Sequence, residues 1–169
     1  MSIFNGPVQL SNVFKPKIWG RRNLEPLFEM PGSEDGTSDP TSSERIGEVW
    51  VTDDTARFLN GPVAGLTLAQ ASEKYGPELH GSSWPGRKFP LLAKYIFTSD
   101  WLSVQVHPDD TYATAHDGGS LGKCEMWYFV KTDSDAAILL GLKPGVQKEQ
   151  LRAAFKEGRS REILQAFKP

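Results

Sequence analysis

The sequence predicts a mainly β fold, namely a small barrel or jelly roll with helical insertions. Three observations support this prediction. Residues 102–107 alternate between apolar and polar side chains, which is the pattern of a strand with one covered face. Residues 90–98 form a mostly apolar run that is typical of a buried strand. The intervening Ser99-Asp100 is short enough for a tight turn, so 90–98 and 101–107 are expected to pair as a hairpin.

Length, charge and composition indicate the size class of the protein and the partners that are not expected. The 169 residues are the size of one domain, and we expect a single domain over 1–169. The net charge is −2 and no basic run occurs, so nucleic acid is not an expected partner. No apolar run approaches the roughly 20 residues of a membrane span, and no signal peptide is evident. Cys124 is the only cysteine, which fits a reducing cytosol, and we expect a cytoplasmic protein.

The N-terminal part is expected to alternate short strands with loops. Short strands and turns are predicted around 16–22, a Gly-, Ser- and Pro-rich loop over 31–44, and a strand over 47–52. Glu48 in that strand could be a functional carboxylate, although an outward-facing polar position is the more ordinary interpretation. Lys94 poses the same choice, because an inward-facing lysine would need an anion and an outward-facing one would not.

One helix is predicted over residues 67–79. Thr67 and Gln70 have the spacing of a capping box, in which each side chain hydrogen-bonds the other residue's backbone. A glycine–proline pair inside the segment indicates an early end near Tyr75, followed by a separate turn. His80, just beyond, is expected to be exposed to solvent.

The C-terminal part is expected to change from strands to helices. Strands are predicted over 125–131 and 136–142. A helical segment follows at about 147–167. Its first helix can be closed by Gly158 at the position after the cap, and Ser160 can cap a second short helix.

Polar side chains on two neighbouring predicted strands form a candidate site. If both stretches are extended, alternate positions hold Ser103, Gln105, His107, Lys123 and Glu125. The ordinary interpretation is the wet face of an antiparallel sheet, since glutamine is an uncommon metal ligand. Glu125 favours a functional site, because it leads into an apolar, aromatic strand where a carboxylate needs a partner. The pattern therefore indicates a possible metal site with titratable neighbours.

Several motifs follow one another in a distinctive order along the chain. They are Trp19-Gly20, Gly47-Glu48-Val49-Trp50, Phe89-Pro90-Leu91-Leu92-Ala93-Lys94, Gln105-Val106-His107-Pro108-Asp109-Asp110, Gly122-Lys123-Cys124-Glu125-Met126-Trp127-Tyr128 and Gly141-Leu142-Lys143-Pro144-Gly145. In combination and order they strongly resemble the type I phosphomannose isomerases, which are zinc-dependent mannose-6-phosphate isomerases of the cupin superfamily. The resemblance extends over nearly the whole chain.

The resemblance implies a cupin-like domain that interconverts mannose 6-phosphate and fructose 6-phosphate through an enediol. It implies a zinc ion held by Gln105, His107 and Glu125. This ligand set would also suit iron, manganese or cobalt. It implies that the phosphorylated hexose is contacted by Ser103, Lys123 and Trp19. Lys123 would be the catalytic residue, as proton-transfer base or as charge stabiliser.

The chain also departs from the family pattern. The resemblance implies a further histidine ligand, a tyrosine and a catalytic arginine on strands beyond the helical segment, and the sequence ends at Lys168-Pro169 without them. We therefore expect a jelly roll that is incomplete at its C-terminus, with open edges that favour self-association. The alternative function is a non-catalytic or partner-completed cupin-like module that binds sugar phosphates.

Overall fold

The computed structural model describes residues 3–31, 44–84, 86–118 and 120–169. The chain divides into two compact units, 1–102 and 103–169, each with its own secondary structure. The predicted loop over 31–44 lies almost entirely outside the described residues. The expectation of a single domain is not tested by this division and stays a prediction.

The first unit is built on a three-stranded antiparallel sheet with a helix. Its elements are β1 (Val13–Arg21), β2 (Ile46–Trp50), α1 (Leu68–His80) and β3 (Lys94–Ile96). The strand order is β1-β2-β3, with β2 in the centre. β2 confirms the strand predicted over 47–52, and four of its five residues are buried.

The predicted hairpin between 90–98 and 101–107 is wrong. Only the three residues of β3 join a sheet, and they pair with β2, with Lys94 opposite Trp50 and Ile96 opposite Glu48. Pairing with β2 places Lys94 beside an ionic partner and next to a strand in which four of five residues are buried. A polar segment after a short turn offers neither of these interactions.

Two apolar clusters stabilise the first unit. Leu24, Ile46 and Val49 form one buried cluster, and Phe28 packs against it. The ring of Phe28 meets three neighbouring aromatic rings edge-on at centroid distances of 5.1–6.2 Å, a favoured geometry for aromatic pairs. The second cluster packs against α1 and includes Phe58, Val63, Leu68 and Ala71.

The local sequence signals predict most features of α1 correctly. Both hydrogen bonds of the capping box are present at Thr67, with lengths of 2.9 and 3.2 Å. Tyr75 has non-helical backbone angles (φ −129°, ψ 25°), so the predicted break is present, although the chain resumes a helical course as far as His80. The predicted exposure of His80 is wrong, because both ring nitrogens are buried and its ring meets Phe89 edge-on.

In its described residues, the second unit combines three helices with a two-stranded antiparallel sheet. Its elements are α2 (Asp110–His116), β4 (Ile138–Leu142), α3 (Lys148–Lys156), α4 (Ser160–Ile163) and β5 (Leu164–Phe167). β4 confirms the strand predicted over 136–142. No described helix of either unit has the length and apolar character needed to cross a membrane.

The helical prediction over 147–167 is confirmed only as far as Ile163. The four residues that follow form β5, which pairs with β4 so that Leu164 lies opposite Leu142 and is buried. Ser160 is the first residue of α4, and the cap position belongs to Arg159 without a side-chain capping bond. Gly158 does close α3, with a φ of +70°.

The strands predicted over 102–107 and 125–131 are not formed in the described part of the chain. Alternation determines which side chains share a face, but a strand also needs a neighbouring ladder of backbone hydrogen bonds. The aromatic run expected to be buried is largely exposed, with Met126 at 85% and Tyr128 at 83%. The described helices together hold more residues than the described strands, so the predicted mainly β content is only partly present.

Candidate metal centre

Glu125 joins two of the predicted site residues through the two oxygens of its carboxylate. The Nε2 atom of His107 lies 2.9 Å from Glu125 Oε1. The Nζ atom of Lys123 lies 3.1 Å from Glu125 Oε2. The Glu125 side chain is 30% exposed, so an imidazole, a carboxylate and an ammonium meet at a partly accessible surface of the second unit.

The surroundings of Glu125 favour its ionised form. Partial burial on its own would raise the pKa of the carboxyl group. Hydrogen bonds from Lys123 and His107, together with the positive charge that each side chain can carry, outweigh burial and hold the pKa of Glu125 below its ordinary value of 4.5. The carboxylate is thus in the protonation state that a metal ligand requires.

Gln105 and Ser103 form a second contact in the same unit. The Nε2 atom of Gln105 donates a hydrogen bond to Ser103 Oγ across 2.8 Å. This bond orients the amide, with its nitrogen turned to the hydroxyl and its oxygen left out of the contact. Hydrogen bonds therefore arrange the predicted residues as one pair and one triad: Ser103 with Gln105, and His107 with Glu125 and Lys123.

The backbone of two loops brings the triad together. The Lys123 N–H donates to the carbonyl oxygen of Pro108 across 3.0 Å. The Gly122 N–H donates to Asp110 Oδ1 across 2.8 Å. Asp109 accepts a hydrogen bond from the Tyr112 N–H at 2.8 Å and so caps α2, which begins directly after it. The first two of these bonds attach the segment that carries Lys123 to the segment that follows His107, whereas the third lies within the first turn of α2.

Trp19 lies on β1 of the first unit and is half-buried. Its carbonyl oxygen accepts a hydrogen bond of 2.8 Å from the Ser99 N–H. The other five candidate residues belong to the second unit. The predicted place of Trp19 in the wall of a substrate pocket stays a prediction.

The first unit contains a buried ionic cluster, for which the sequence left the orientation of the charged side chains open. Glu48 is 7% exposed, and its two carboxylate oxygens lie 3.0 Å from Lys94 Nζ and 2.7 Å from Trp50 Nε1. Burial on its own would raise the pKa of Glu48, but these two hydrogen bonds and the charges of Lys94 and Lys17 lower it. The outward-facing interpretation is therefore wrong for both Glu48 and Lys94.

A signal for this pair was present in the sequence. Each of the two residues is an ionisable side chain inside an apolar strand, and each would need an opposite charge if it faced inwards. Considered together, Glu48 and Lys94 satisfy each other's requirement. The indole ring of Trp50 adds to the cluster, since Lys15 Nζ lies 4.3 Å from its centroid.

The donor atoms of the predicted ligand set suit a divalent metal. Among the described residues, no group of three or more His, Cys, Asp or Glu side chains is placed to hold one. The predicted set is of another kind, because its third member is the amide of Gln105. Adjacent ligand atoms of tetrahedral zinc lie about 3.4 Å apart. The 2.9 Å between His107 Nε2 and Glu125 Oε1 would need to widen by only a few tenths of an ångström.

Comparison with known proteins points to one class, the mannose-6-phosphate isomerases. The chain matches the crystal structure of the Bacillus subtilis mannose 6-phosphate isomerase with a TM-score of 0.80 and 32% identity, over 96% of this chain and 49% of that one. Two curated Bacillus subtilis relatives are the probable mannose-6-phosphate isomerase GmuF, at 37% identity, and the mannose-6-phosphate isomerase ManA, at 35%. Both matches cover 96% of this chain and 49% of the relative, so the chain spans about half the length of these relatives.

The family of the chain is shown by a match to a protein-family model. The family described as phosphomannose isomerase type I, catalytic domain, matches residues 8–128, which include every predicted site residue. The chain belongs to the type I phosphomannose isomerases. The structural match also supports the predicted cupin fold, although the described strands are short and the helices extensive.

Proposed function

We propose that this chain carries the metal centre of a zinc-dependent mannose-6-phosphate isomerase, which interconverts mannose 6-phosphate and fructose 6-phosphate. Membership of the family and the names of the matched relatives support this function. The observation that carries the proposal is the contact of His107 and Lys123 with the two oxygens of Glu125. All three residues lie inside the motifs that resemble the family.

Three side chains would hold the metal: Gln105, His107 and Glu125. They offer an amide oxygen, an imidazole nitrogen and an ionised carboxylate, a set that other divalent ions also accept. When bound, the zinc ion supplies a Lewis acid that polarises the sugar carbonyl and favours the enediol. The Ser103 hydroxyl accepts a hydrogen bond from the amide nitrogen of Gln105, which would leave the amide oxygen of Gln105 available to the metal.

Lys123 would stabilise negative charge rather than act as the base. Its ammonium group lies 3.1 Å from Glu125 Oε2 and lowers the pKa of that carboxyl group by a hydrogen bond and by its positive charge. The side chain is 43% exposed, so the ammonium can reach an anion that enters from solvent. Either the phosphate of the hexose or the developing oxyanion of the enediol is a suitable partner. Ser103 and Trp19 are the further proposed contacts of the sugar.

The test of the metal centre is zinc stoichiometry on the purified chain and on two histidine variants. His107→Ala removes a proposed ligand. His116→Ala removes an exposed histidine whose described contacts, a hydrogen bond to the Tyr112 carbonyl and a stacked pair with the Tyr112 ring, lie within its own helix. We expect one zinc ion per chain in the parent and in His116→Ala, and none in His107→Ala. A parent chain that binds no zinc at neutral pH would contradict the proposed centre.

The test of the reaction is turnover of mannose 6-phosphate in a coupled assay. We expect activity that a chelator abolishes and added zinc restores, since the metal would polarise the reacting carbonyl. A zinc-loaded chain that binds the sugar phosphate without converting it would count against catalysis by this chain.

The exposed aromatic run supports a second candidate, a sugar-phosphate-binding module completed by another chain. Met126, Tyr128 and Val130 are 85%, 83% and 63% exposed, at alternate positions of a segment whose sequence suits a buried strand. A second copy or a partner could cover them by supplying a strand. We then expect a dimer or larger species by sedimentation and binding of mannose 6-phosphate without turnover. A monomer at all concentrations would exclude completion by a second copy.

A further inference from the structure

We propose that Asp110 is a positioning residue, which fixes the backbone at Gly122 and thereby holds Lys123 and Glu125 against His107. Its consequence for zinc rests on the proposed function. The positioning itself concerns only contacts within the second unit and can be tested without metal.

Two consecutive backbone amides connect the loops that carry the triad. The Gly122 N–H donates to Asp110 Oδ1 at 2.8 Å, and the next N–H, of Lys123, donates to the Pro108 carbonyl at 3.0 Å. Both acceptors lie within three residues of His107 in the sequence. The two bonds therefore set the position of the 122–125 segment relative to the segment that begins at His107.

The close approach of the two loops depends on glycine. A Cβ atom at Gly122 would lie 2.5 Å from the carbonyl carbon of Asp109, 2.6 Å from the nitrogen of Asp110 and 2.7 Å from the oxygen of Pro108. All three are backbone atoms, so none can move aside without displacing the loop. Only a residue without a side chain allows the Asp110 carboxylate and the Gly122 amide to meet in this geometry.

The contact between Asp110 and Gly122 lies close in sequence to all three residues of the triad. Lys123 follows Gly122 directly and Glu125 is three residues on, while His107 precedes the other anchor, Pro108. A displacement of about 1 Å at a site can cost two orders of magnitude in function. The separation of 2.9 Å between His107 Nε2 and Glu125 Oε1 should therefore depend on the Asp110 contact.

The two adjacent aspartates have different contacts, which provides a matched control. Asp109 Oδ1 accepts the Tyr112 N–H and caps α2, whereas Asp110 Oδ1 accepts the Gly122 N–H from outside the helix. Both carboxylates lie at the N-terminus of α2, where negative charge is favourable. A general weakening of α2 should therefore follow from either substitution, but loss of the Gly122 contact only from substitution of Asp110.

The experiment compares Asp110→Ala, Asp110→Asn and Asp109→Ala in the full chain. The first readout is hydrogen exchange of the Gly122 amide in the metal-free protein. The second is the ¹⁵N chemical shift of His107 Nε2, with Glu125→Ala as the reference for a lost contact. We expect Asp110→Ala to lose the protection of Gly122 and to move the His107 shift towards the reference, with Asp109→Ala unchanged in both. Asp110→Asn should preserve both readouts, because the amide oxygen can still accept the bond.

Zinc affinity, measured by competition with a chromophoric chelator, is the third readout. We expect Asp110→Ala to weaken binding by about 10- to 100-fold, as removal of a group that orients ligands does, and Asp109→Ala to change it less than threefold. Unchanged Gly122 exchange in Asp110→Ala, or equal effects of the two alanine variants, would overturn the proposal. If Asp110→Ala does not fold, a loss of Gly122 protection in Asp110→Asn would overturn it instead. A parent chain without zinc affinity would contradict the proposed function, and the two metal-free readouts would still decide the role of Asp110.

Discussion

The ammonium of Lys94 on β3 lies 3.0 Å from the carboxylate of Glu48 on β2, and the two side chains are only 19% and 10% exposed. The residues are not directly opposite in the register, since Lys94 pairs with Trp50 and Glu48 with Ile96. The ion pair thus runs diagonally across the strands, and Trp50 Nε1 binds the second oxygen of the carboxylate. A charged group this far from solvent depends on its partners.

Removal of one partner of this pair should strongly destabilise the chain. We expect Lys94→Met to lower the free energy of unfolding by about 3 kcal/mol, because it leaves Glu48 buried without its counter-ion. Glu48→Leu in the same chain should recover most of that loss. Urea denaturation of the two single variants and the double variant gives the coupling energy.

An exposed lysine is the control for this cycle. Lys88 lies 3.8 Å from Asp54 with 86% of its side chain exposed, so Lys88→Met should change the stability by less than about 0.5 kcal/mol. Equal effects of Lys88→Met and Lys94→Met would show that burial of the Glu48–Lys94 pair has no energetic role.

The lowered pKa of Glu48 predicts a loss of stability in acid. The group titrates at lower pH in the folded chain than its ordinary value of 4.5, so its contribution is fully present above pH 4.5 and disappears as the pH falls through the folded pKa. The stability difference between the parent and Glu48→Gln should therefore shrink as the pH falls below 4.5. Denaturation at several pH values tests this, and a difference that stays constant would contradict the prediction.

Much of the local structure could be predicted from local signals. The capping box at Thr67, the break near Tyr75 and the closure of α3 at Gly158 all depend on residues within a few positions. The pairing of β3 could not be predicted in this way, because 94–96 could join any neighbouring strand. The apolar spacing of Ile163, Leu164 and Phe167 fits a helix, yet the last four residues of this segment pair with β4. The deciding contact there is with a strand more than twenty residues away.

The candidate site was predictable in its residue types and less so in its arrangement. Alternation indicated that Gln105 and His107 share a face, and the motifs indicated that Glu125 belongs with them. The actual contacts depend on the loop-to-loop bonds of Asp110 and Gly122, which have no periodic signal in the sequence. The donation of Gln105 to Ser103 likewise appears only in three dimensions.

The way in which α3 ends predicts that stability is sensitive to substitution of Gly158. Gly158 has a φ of +70°, the Arg159 N–H bonds the Ala154 carbonyl at 2.8 Å, and the Gly158 N–H bonds the Phe155 carbonyl at 3.3 Å, which together form a Schellman motif. We expect Gly158→Ala to lower the free energy of unfolding by about 1 kcal/mol, because a Cβ is disfavoured in this left-handed conformation. Gly6→Ala is the control, since that residue has no positive φ and open space around it. An equal effect of both substitutions on urea denaturation would contradict this account.

The contact between Lys123 and Glu125 predicts a change in the pKa of Glu125 that can be measured without metal or substrate. Lys123 is the leading cause that lowers the pKa of Glu125, by donating a hydrogen bond and by its positive charge. Lys123→Met should therefore raise the pKa of Glu125, which an NMR titration of the side-chain carboxyl carbon would measure directly. Lys131→Met, which removes an exposed lysine six residues further along, should leave it unchanged. If the two variants titrate alike, Lys123 does not hold Glu125 in its ionised form, and its proposed role beside the metal loses its physical basis.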